Sequence, residues 1–205
     1  MGSQQKANRS TEAGATFNEE TSMSYATHVQ PAPQAPETPA IGVSASEFKD
    51  ALSKAVTPVT ILATDGPNGR AGVTCSAVCS VCDTPPTVLV CVNRSSYANS
   101  VMKANGVLSV NWLSADQSKL SQLFAGVGAL PMPERFLHGH WDTLVSGAPY
   151  CKDALMSLDC RIVSVTEVGT HSIFFASVLA TSKADGRDPL AYCQRAYATT
   201  QPTAP

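Results

Sequence analysis

Cysteine is the residue type best able to do chemistry in this chain, and four of the seven cysteines fall in one run, GVTCSAVCSVCDTPPTVLVCVN, from Gly72 to Asn93. Cys75, Cys79 and Cys82 stand at C-x3-C-x2-C spacing. In a loop, that spacing could hold three irons of a four-iron cluster, as in radical enzymes that use S-adenosylmethionine. Read as a strand, the same run presents hydroxyls and small side chains instead. Strand side chains alternate faces and advance about 3.3 Å per residue, so Cys75 and Cys79 would share a face about 13 Å apart, with Cys82 on the other face. Val73, Thr74, Val78 and Val81 favour a strand, opened by Asn68-Gly69 and closed by Asp83-Thr84-Pro85-Pro86. A cluster loop would be more polar and Gly-rich. The strand reading is preferred, with no metal and with the cysteines as small buried packing residues.

The other reactive residue types are sparse. There are four histidines. His28 lies in a Pro-rich leading segment, and no G-x-S-x-G elbow accompanies the rest, which leaves nucleophilic catalysis with little support. His138 and His140 flank one residue in a loop beside Trp141 and would need a third ligand from elsewhere to hold a metal; solvent-facing histidines are the plainer reading. His171 follows a Gly-Thr turn and opens the apolar run Ile173-Phe174-Phe175, so it is either a group at a barrel mouth or a hydrogen-bonded strand-end histidine. Gly66-x-x-Gly69-x-x-Gly72 leads into a strand rather than a helix, so it is neither a Rossmann nor a Walker loop. Asn93-Arg94-Ser95-Ser96 opens a helix, where free N–H groups and the helix dipole favour an anion. An ordinary capped helix with an exposed arginine competes with that reading.

These residues must be positioned by a fold that the rest of the chain outlines. At 205 residues with 43% hydrophobic content, the chain suits one soluble domain with a real core. A net charge of −2 without basic runs argues against non-specific nucleic-acid binding. Apolar runs such as Val88 to Val92 fall far short of the roughly 18 residues a membrane-spanning helix needs. No signal-peptide core is seen, and an odd number of scattered cysteines suits a reducing cytoplasm. Residues 1–43, rich in Ser, Gln, Ala and Pro, read as a disordered arm or as a strap on a partner subunit anchored by Tyr25 and Val29. Residues 200–205 read as a flexible tail.

Between them, 44–199 reads as mostly strand. Ser44 and Glu47 form a capping box for a helix over 45–55. Strands are expected over 59–64, across the Cys75 run, over 87–92, 107–113, 157–167 and 171–181, and from 189 to 197. Further helices span 96–105 and 114–126, the second opened by Ser114-x-x-Gln117. Residues 127–150 read as a long loop. With no repeated βαβ rhythm, this pattern predicts a mainly β fold, a closed or nearly closed barrel with peripheral helices.

Ordered motifs then carry a resemblance. They are Thr57-Pro58-Val59-Thr60, Gly72 to Val81, Asp83-Thr84-Pro85-Pro86, Cys91-Val92-Asn93, Val110-Asn111, Phe124-Ala125-Gly126, Glu134-Arg135-Phe136, Gly139-x-Trp141, Gly169-Thr170-His171 and Pro189-Leu190-x-Tyr192-x-x-Arg195-x-Tyr197. Together they resemble the flavin reductase family, which has the FMN-binding split-barrel fold. Within it, the chain is most similar to the reductase component of two-component aromatic hydroxylases, especially those acting with chlorophenol monooxygenases.

That resemblance implies a homodimeric oxidoreductase that uses NADH, in preference to NADPH, to reduce free FAD or FMN. The reduced flavin would diffuse to a separate aromatic monooxygenase. It also implies a cofactor-binding set: Thr57 and Pro58; Thr74, Cys75, Ser76, Ala77, Val78 and Ser80 along the flavin; Asn93, Arg94, Ser95 and Ser96 toward its ribityl and phosphate side; Phe124 and Arg135. His171, with Tyr192 and Arg195, would lie near the nicotinamide, His171 as a nicotinamide contact or proton donor. The residues agree with it in one respect: small side chains at Ser76 and Ala77 let a flat ring approach the backbone. A split-barrel sensor or storage protein that binds flavin without turnover is the alternative.

Overall fold

The computed structural model describes residues 28–30 and 42–203. Most of the predicted arm and the last residues of the tail therefore lie outside the described residues. What is described of the arm is strand β1, His28–Gln30, and residues 42–43.

The capping box forms as the sequence predicts: Ser44 N–H donates to Glu47 Oε2 at 2.8 Å and Glu47 N–H to Ser44 Oγ at 3.2 Å. It starts helix α1, Ala45–Leu52, which ends three residues before the expected position and buries none of its side chains. Strands β2 (Thr57–Pro58), β3 (Thr60–Thr64), β4 (Ala71–Cys75), β5 (Val78–Asp83) and β6 (Pro86–Asn93) follow, then helix α2 (Tyr97–Asn105) and strand β7 (Val107–Trp112). Gly106 stops α2 in the left-handed conformation at φ 71°, which glycine adopts without strain. A 3-10 turn, Ala115–Gln117, leads into helix α3 (Ser118–Phe124), and a second, Val127–Ala129, precedes helix α4 (Met132–Arg135). Strands β8 (Trp141–Thr143), β9 (Pro149–Cys151), β10 (Met156–Val168), β11 (His171–Lys183), β12 (Leu190–Cys193) and β13 (Ala196–Thr199) complete the order.

The main sheet runs β4-β3-β7-β10-β11-β6-β5, with β1 added in parallel against Ser164–Thr166 of β10. Its two edges, β4 and β5, are consecutive in sequence and joined only by Ser76 and Ala77. The sheet curls until β4 comes up against β6 at this corner, where Cys75 Sγ on β4 lies 3.5 Å from Cys91 C=O on β6. The result is a mainly β barrel, split at one corner. Expected as one continuous strand, the Cys75 run is broken there, because the chain must leave one edge and join the other. Leu62, Val90, Val110, Cys160 and Phe174 fill the barrel. A second core, with Ile61, Leu113, Phe124, Phe136 and Leu190, lies between the barrel wall and the elements outside it.

Two smaller sheets pack outside. β13-β12-β2 forms one, and β8-β9 forms a hairpin inside the stretch read as loop. The predicted strand over 189–197 is likewise a hairpin, turned by Gln194 and Arg195 with positive φ of 50° and 62°. Among the described residues, no helix is long and apolar enough to cross a membrane.

Candidate functional site

The split corner opens into a cavity of about 240 Å³ lined by Val73 to Ala77, Cys91 to Asn93, Ser96 and His171. Strand pairing assembles it: His171, the first residue of β11, stands opposite Asn93, the last residue of β6. Neither peptide group of Ser76, nor the N–H of Ala77, has a backbone partner among the described residues. Both side chains are small and exposed.

The turn before α2 is built around Asn93. Its Oδ1 accepts from Ser95 N–H and Ser95 Oγ, both at 2.9 Å, and its C=O accepts from Ser96 N–H at 3.0 Å. Ser96 caps α2 without a side-chain hydrogen bond, so its hydroxyl is left facing the cavity. His171 is exposed, and its Nδ1 lies 2.9 Å from Thr170 Oγ1. Arg94 belongs to the same turn but reaches away, with its Nε on Glu167 at 3.1 Å and an Nη on Gly169 C=O at 3.3 Å.

The buried thiols are poor nucleophiles. Burial, with a smaller contribution from nearby Cys91, pushes Cys75 up to about 11, so it stays protonated at neutral pH and lies 3.5 Å from Cys91 C=O as a weak donor. Cys91 is also raised by burial. Cys79 and Cys82 are exposed, against the expectation of buried packing residues, because β5 is an edge strand whose last five residues face solvent. All seven cysteines are free, and no group of three or more His, Cys, Asp or Glu side chains among the described residues is placed to hold a metal. His140 Nδ1 instead pairs with Asp153 at 2.6 Å.

Other members of the predicted set sit at a remove. Thr74 lines the cavity and donates through Oγ1 to Ser121 C=O at 2.6 Å; Ser121 Oγ lies 2.9 Å from Tyr197 Oη, and the Tyr197 ring packs edge-on against Tyr192 at 5.5 Å. Thr57 and Pro58 pair with Tyr192 and Ala191 in the outer sheet. The corner and the C-terminal hairpin are thus linked through α3. Arg195 turns toward α1, where it meets Asp50 at 3.1 Å. Phe124 is 1% exposed, enclosed by Phe136 and Trp141, and so close to the backbone that a Cβ at Gly72 would stand 2.6 Å from its ring. It supports the corner from behind. Arg135 donates to Leu130 C=O at 2.9 Å. Val78 packs against the barrel core, and Ser80 lines a separate, apolar cavity of about 370 Å³ with Cys82 and Trp112.

The profile of the flavin reductase like domain matches residues 52–201. The chain belongs to the flavin reductase family. Among its relatives is the FMN reductase (NADH) RutF of Ancylobacter novellus, 48% identical over 155 residues, which are 76% of this chain and 84% of that protein. Two solved structures share the fold at a TM-score of 0.71. BorF, the flavin reductase component of a bacterial two-component tryptophan halogenase, is 26% identical over 78% of this chain and 100% of that one. The Streptomyces globisporus NADH:FAD oxidoreductase SgcE6, solved with NAD and FAD fragments, is 25% identical over 78% of this chain and 94% of that one.

In this member of the family, the sequence reading passed over several residues at the site. Cys91 and Val92 line the cavity because β6 runs along it, and that alignment depends on strand register that no local motif encodes. Glu167, Ser172 and Asn99 form a polar cluster behind His171. Buried Asn99 donates to Ser172 Oγ at 2.9 Å and to Val92 C=O at 3.1 Å. The only local sign is polar residues at inward positions of otherwise apolar elements.

Proposed function

We propose that this protein is an NADH-dependent flavin reductase that binds flavin at the Ser76–Ala77 corner and releases it, reduced, to a separate monooxygenase. The observation that carries the reading is the corner itself. Peptide donors and an acceptor are left unpaired beside side chains small enough for a flat heteroaromatic ring edge to reach them. The flavin edge, with its alternating carbonyl and N–H groups, has the complementary chemistry. About 240 Å³ is below the common range for ligand pockets, so the corner grips part of the molecule and leaves the rest outside. That suits a flavin that comes and goes.

Flavin supplies the redox chemistry by accepting hydride from the nicotinamide. The chain's own residues bind and orient. Ser76 and Ala77 bond the ring edge through the backbone; the Ser96 hydroxyl and the N–H groups opening α2 face the ribityl and phosphate side. His171, at the mouth, contacts the nicotinamide or gives a proton. Tyr192, reached through Thr74, Ser121 and Tyr197, borders the nicotinamide side. The 48% identical relative supports FMN and NADH, and SgcE6 supports FAD and NADH, so either flavin serves as substrate.

The partner we propose is an aromatic monooxygenase of the chlorophenol type. That step rests on the sequence resemblance, and BorF, the reductase component of a two-component halogenase, supports delivery to a second protein. A homodimer is proposed with it: β5 presents an unpaired edge, and Val81, Val163 and Leu179 are 46%, 48% and 36% exposed. Exposed free thiols at Cys79 and Cys82 fit a reducing cytoplasm.

The deciding assay follows NADH oxidation at 340 nm with FMN, FAD or riboflavin added. Turnover with at least one flavin is expected; no oxidation with any of them returns the protein to the sensor or storage reading. His171→Ala should lower kcat/KM for NADH about tenfold with flavin affinity unchanged. A rise confined to the KM for NADH assigns His171 to nicotinamide contact, and a fall in kcat with an altered pH profile assigns it to proton transfer.

A further inference from the structure

We propose that Glu167 is a positioning residue, which acts through the β10–β11 turn to hold His171 at the mouth of the flavin corner. The inference rests on the functional reading of His171 given above. Glu167 stands on β10 directly opposite Ser172, so the two residues close the turn that carries His171. Both of its carboxylate oxygens are engaged. Oε1 accepts from Lys103 Nζ at 2.5 Å and Oε2 meets Arg94 Nε at 3.1 Å, while Ser172 Oγ lies 3.1 and 2.9 Å from the two. The side chain is only 15% exposed.

The bonds converge on the residues around His171. Arg94 N–H donates to Thr170 C=O at 2.9 Å, and its guanidinium reaches Gly169 C=O. Ser172 is held from two sides, by Glu167 and by Asn99. The neighbours of His171 on either side are thereby tied to the turn that opens α2 and to α2 itself, while the imidazole keeps one partner, Thr170 Oγ1. A salt bridge serving stability alone could join any two elements of the barrel. This one joins two neighbouring turns at the cavity's edge, the β10–β11 turn and the turn that opens α2, and it draws a partly buried carboxylate out of water to do so. Burial acts to raise the Glu167 pKa, but hydrogen bonds from Lys103 and Ser172 and the charges of Lys103 and Arg94 outweigh it and hold the carboxyl below its ordinary range. It is ionised at working pH.

The test is a double-mutant cycle on the full chain with NADH and FMN. Glu167→Gln preserves the shape and the bond to Ser172 but discards both ion pairs. Its kcat should fall about tenfold while FMN affinity, read by fluorescence titration, changes less than twofold. Lys103→Gln, which loosens Glu167 from α2 without touching the turn, should lower kcat about threefold and keeps the test open if Glu167→Gln folds poorly. In a His171→Ala background, either substitution should cost almost nothing more. Unchanged kcat in both single variants overturns the proposal. If His171→Ala is itself slow and the effects multiply independently, positioning through His171 is overturned while the reading of His171 stands. If His171→Ala matches the parent in both kcat and the KM for NADH, both fail together.

Discussion

Two polar regions of this barrel treat hydrogen bonding in opposite ways. On one wall Asn111, fully buried, uses its whole amide. Nδ2 donates to Ile61 C=O and Ser109 Oγ, both at 2.9 Å, and Oδ1 accepts from Cys151 N–H and Ser157 Oγ, both at 2.8 Å. Ser109 donates onward to Pro149 C=O. At the split corner, Ser76 and Ala77 leave peptide groups without partners. Among the described residues, no buried side-chain nitrogen or oxygen lacks a hydrogen bond, whereas the unpaired peptide groups at the corner belong to the exposed residues Ser76 and Ala77. The closed network belongs to the fold, and the open corner is where we propose that flavin binds.

The largest expected effect is on the closed side. Asn111→Leu keeps the volume but removes the side-chain partners of the Cys151 N–H, the Ile61 C=O and the Ser157 hydroxyl, each loss costing about 1–3 kcal/mol, while Ser109 keeps Pro149 C=O. Urea denaturation should show a loss of at least about 3 kcal/mol, while folded protein binds flavin within about twofold of the parent. A loss under about 1 kcal/mol would break the contrast at its strong end.

Ala77→Trp tests the open side and should invert that result. The position is exposed, so stability should move by no more than about 0.5 kcal/mol. Flavin affinity, by fluorescence titration, should fall about a hundredfold, close to 2.7 kcal/mol. Comparable losses in both measurements would make the corner a structural joint.

How much of this contrast was legible in the sequence depends on range. Local chemistry could be read: the Ser44–Glu47 box forms, and the helix expected over 96–105 spans Tyr97–Asn105. The break at Ser76–Ala77 could not, because no Gly or Pro marks it; it arises only when the curled sheet brings β4 up against β6. The hairpin of β8 and β9 stayed hidden because three-residue strands carry too little alternation to detect. Long-range pairings were also out of reach. Arg195 resembles a nicotinamide contact by its motif, yet a left-handed turn aims it at Asp50, and nothing near Glu167 announces that it will meet Arg94 and Lys103.

A smaller effect sharpens the comparison through pH. Glu167 titrates below its ordinary range in the folded protein, so its contribution to stability is present above the unfolded value of 4.5 and is lost as pH falls through and below it. Glu167→Gln should therefore show a shallower fall of unfolding free energy than the parent between about pH 5 and pH 3, with the two curves converging at the acid end. Parallel curves across that range would mean that the triad adds no net stability through its charge.

The smallest effect returns to the cysteines. Cys79 and Cys82 sit on the exposed edge strand, while Cys75 and Cys160 are buried, with burial raising their thiols to about 11 and about 12. Native protein treated with iodoacetamide at pH 7.5 should gain label at Cys79 and Cys82 in peptide mass spectra, and none at Cys75 or Cys160 until urea is added. NADH oxidation by Cys79→Ser/Cys82→Ser should stay within about twofold of the parent, because neither side chain lines the corner. Hydroxyls replace thiols well in size but poorly as iron ligands. A fall beyond tenfold, with the fold intact, would therefore put the exposed thiols back into the chemistry and take the site away from Ser76 and Ala77.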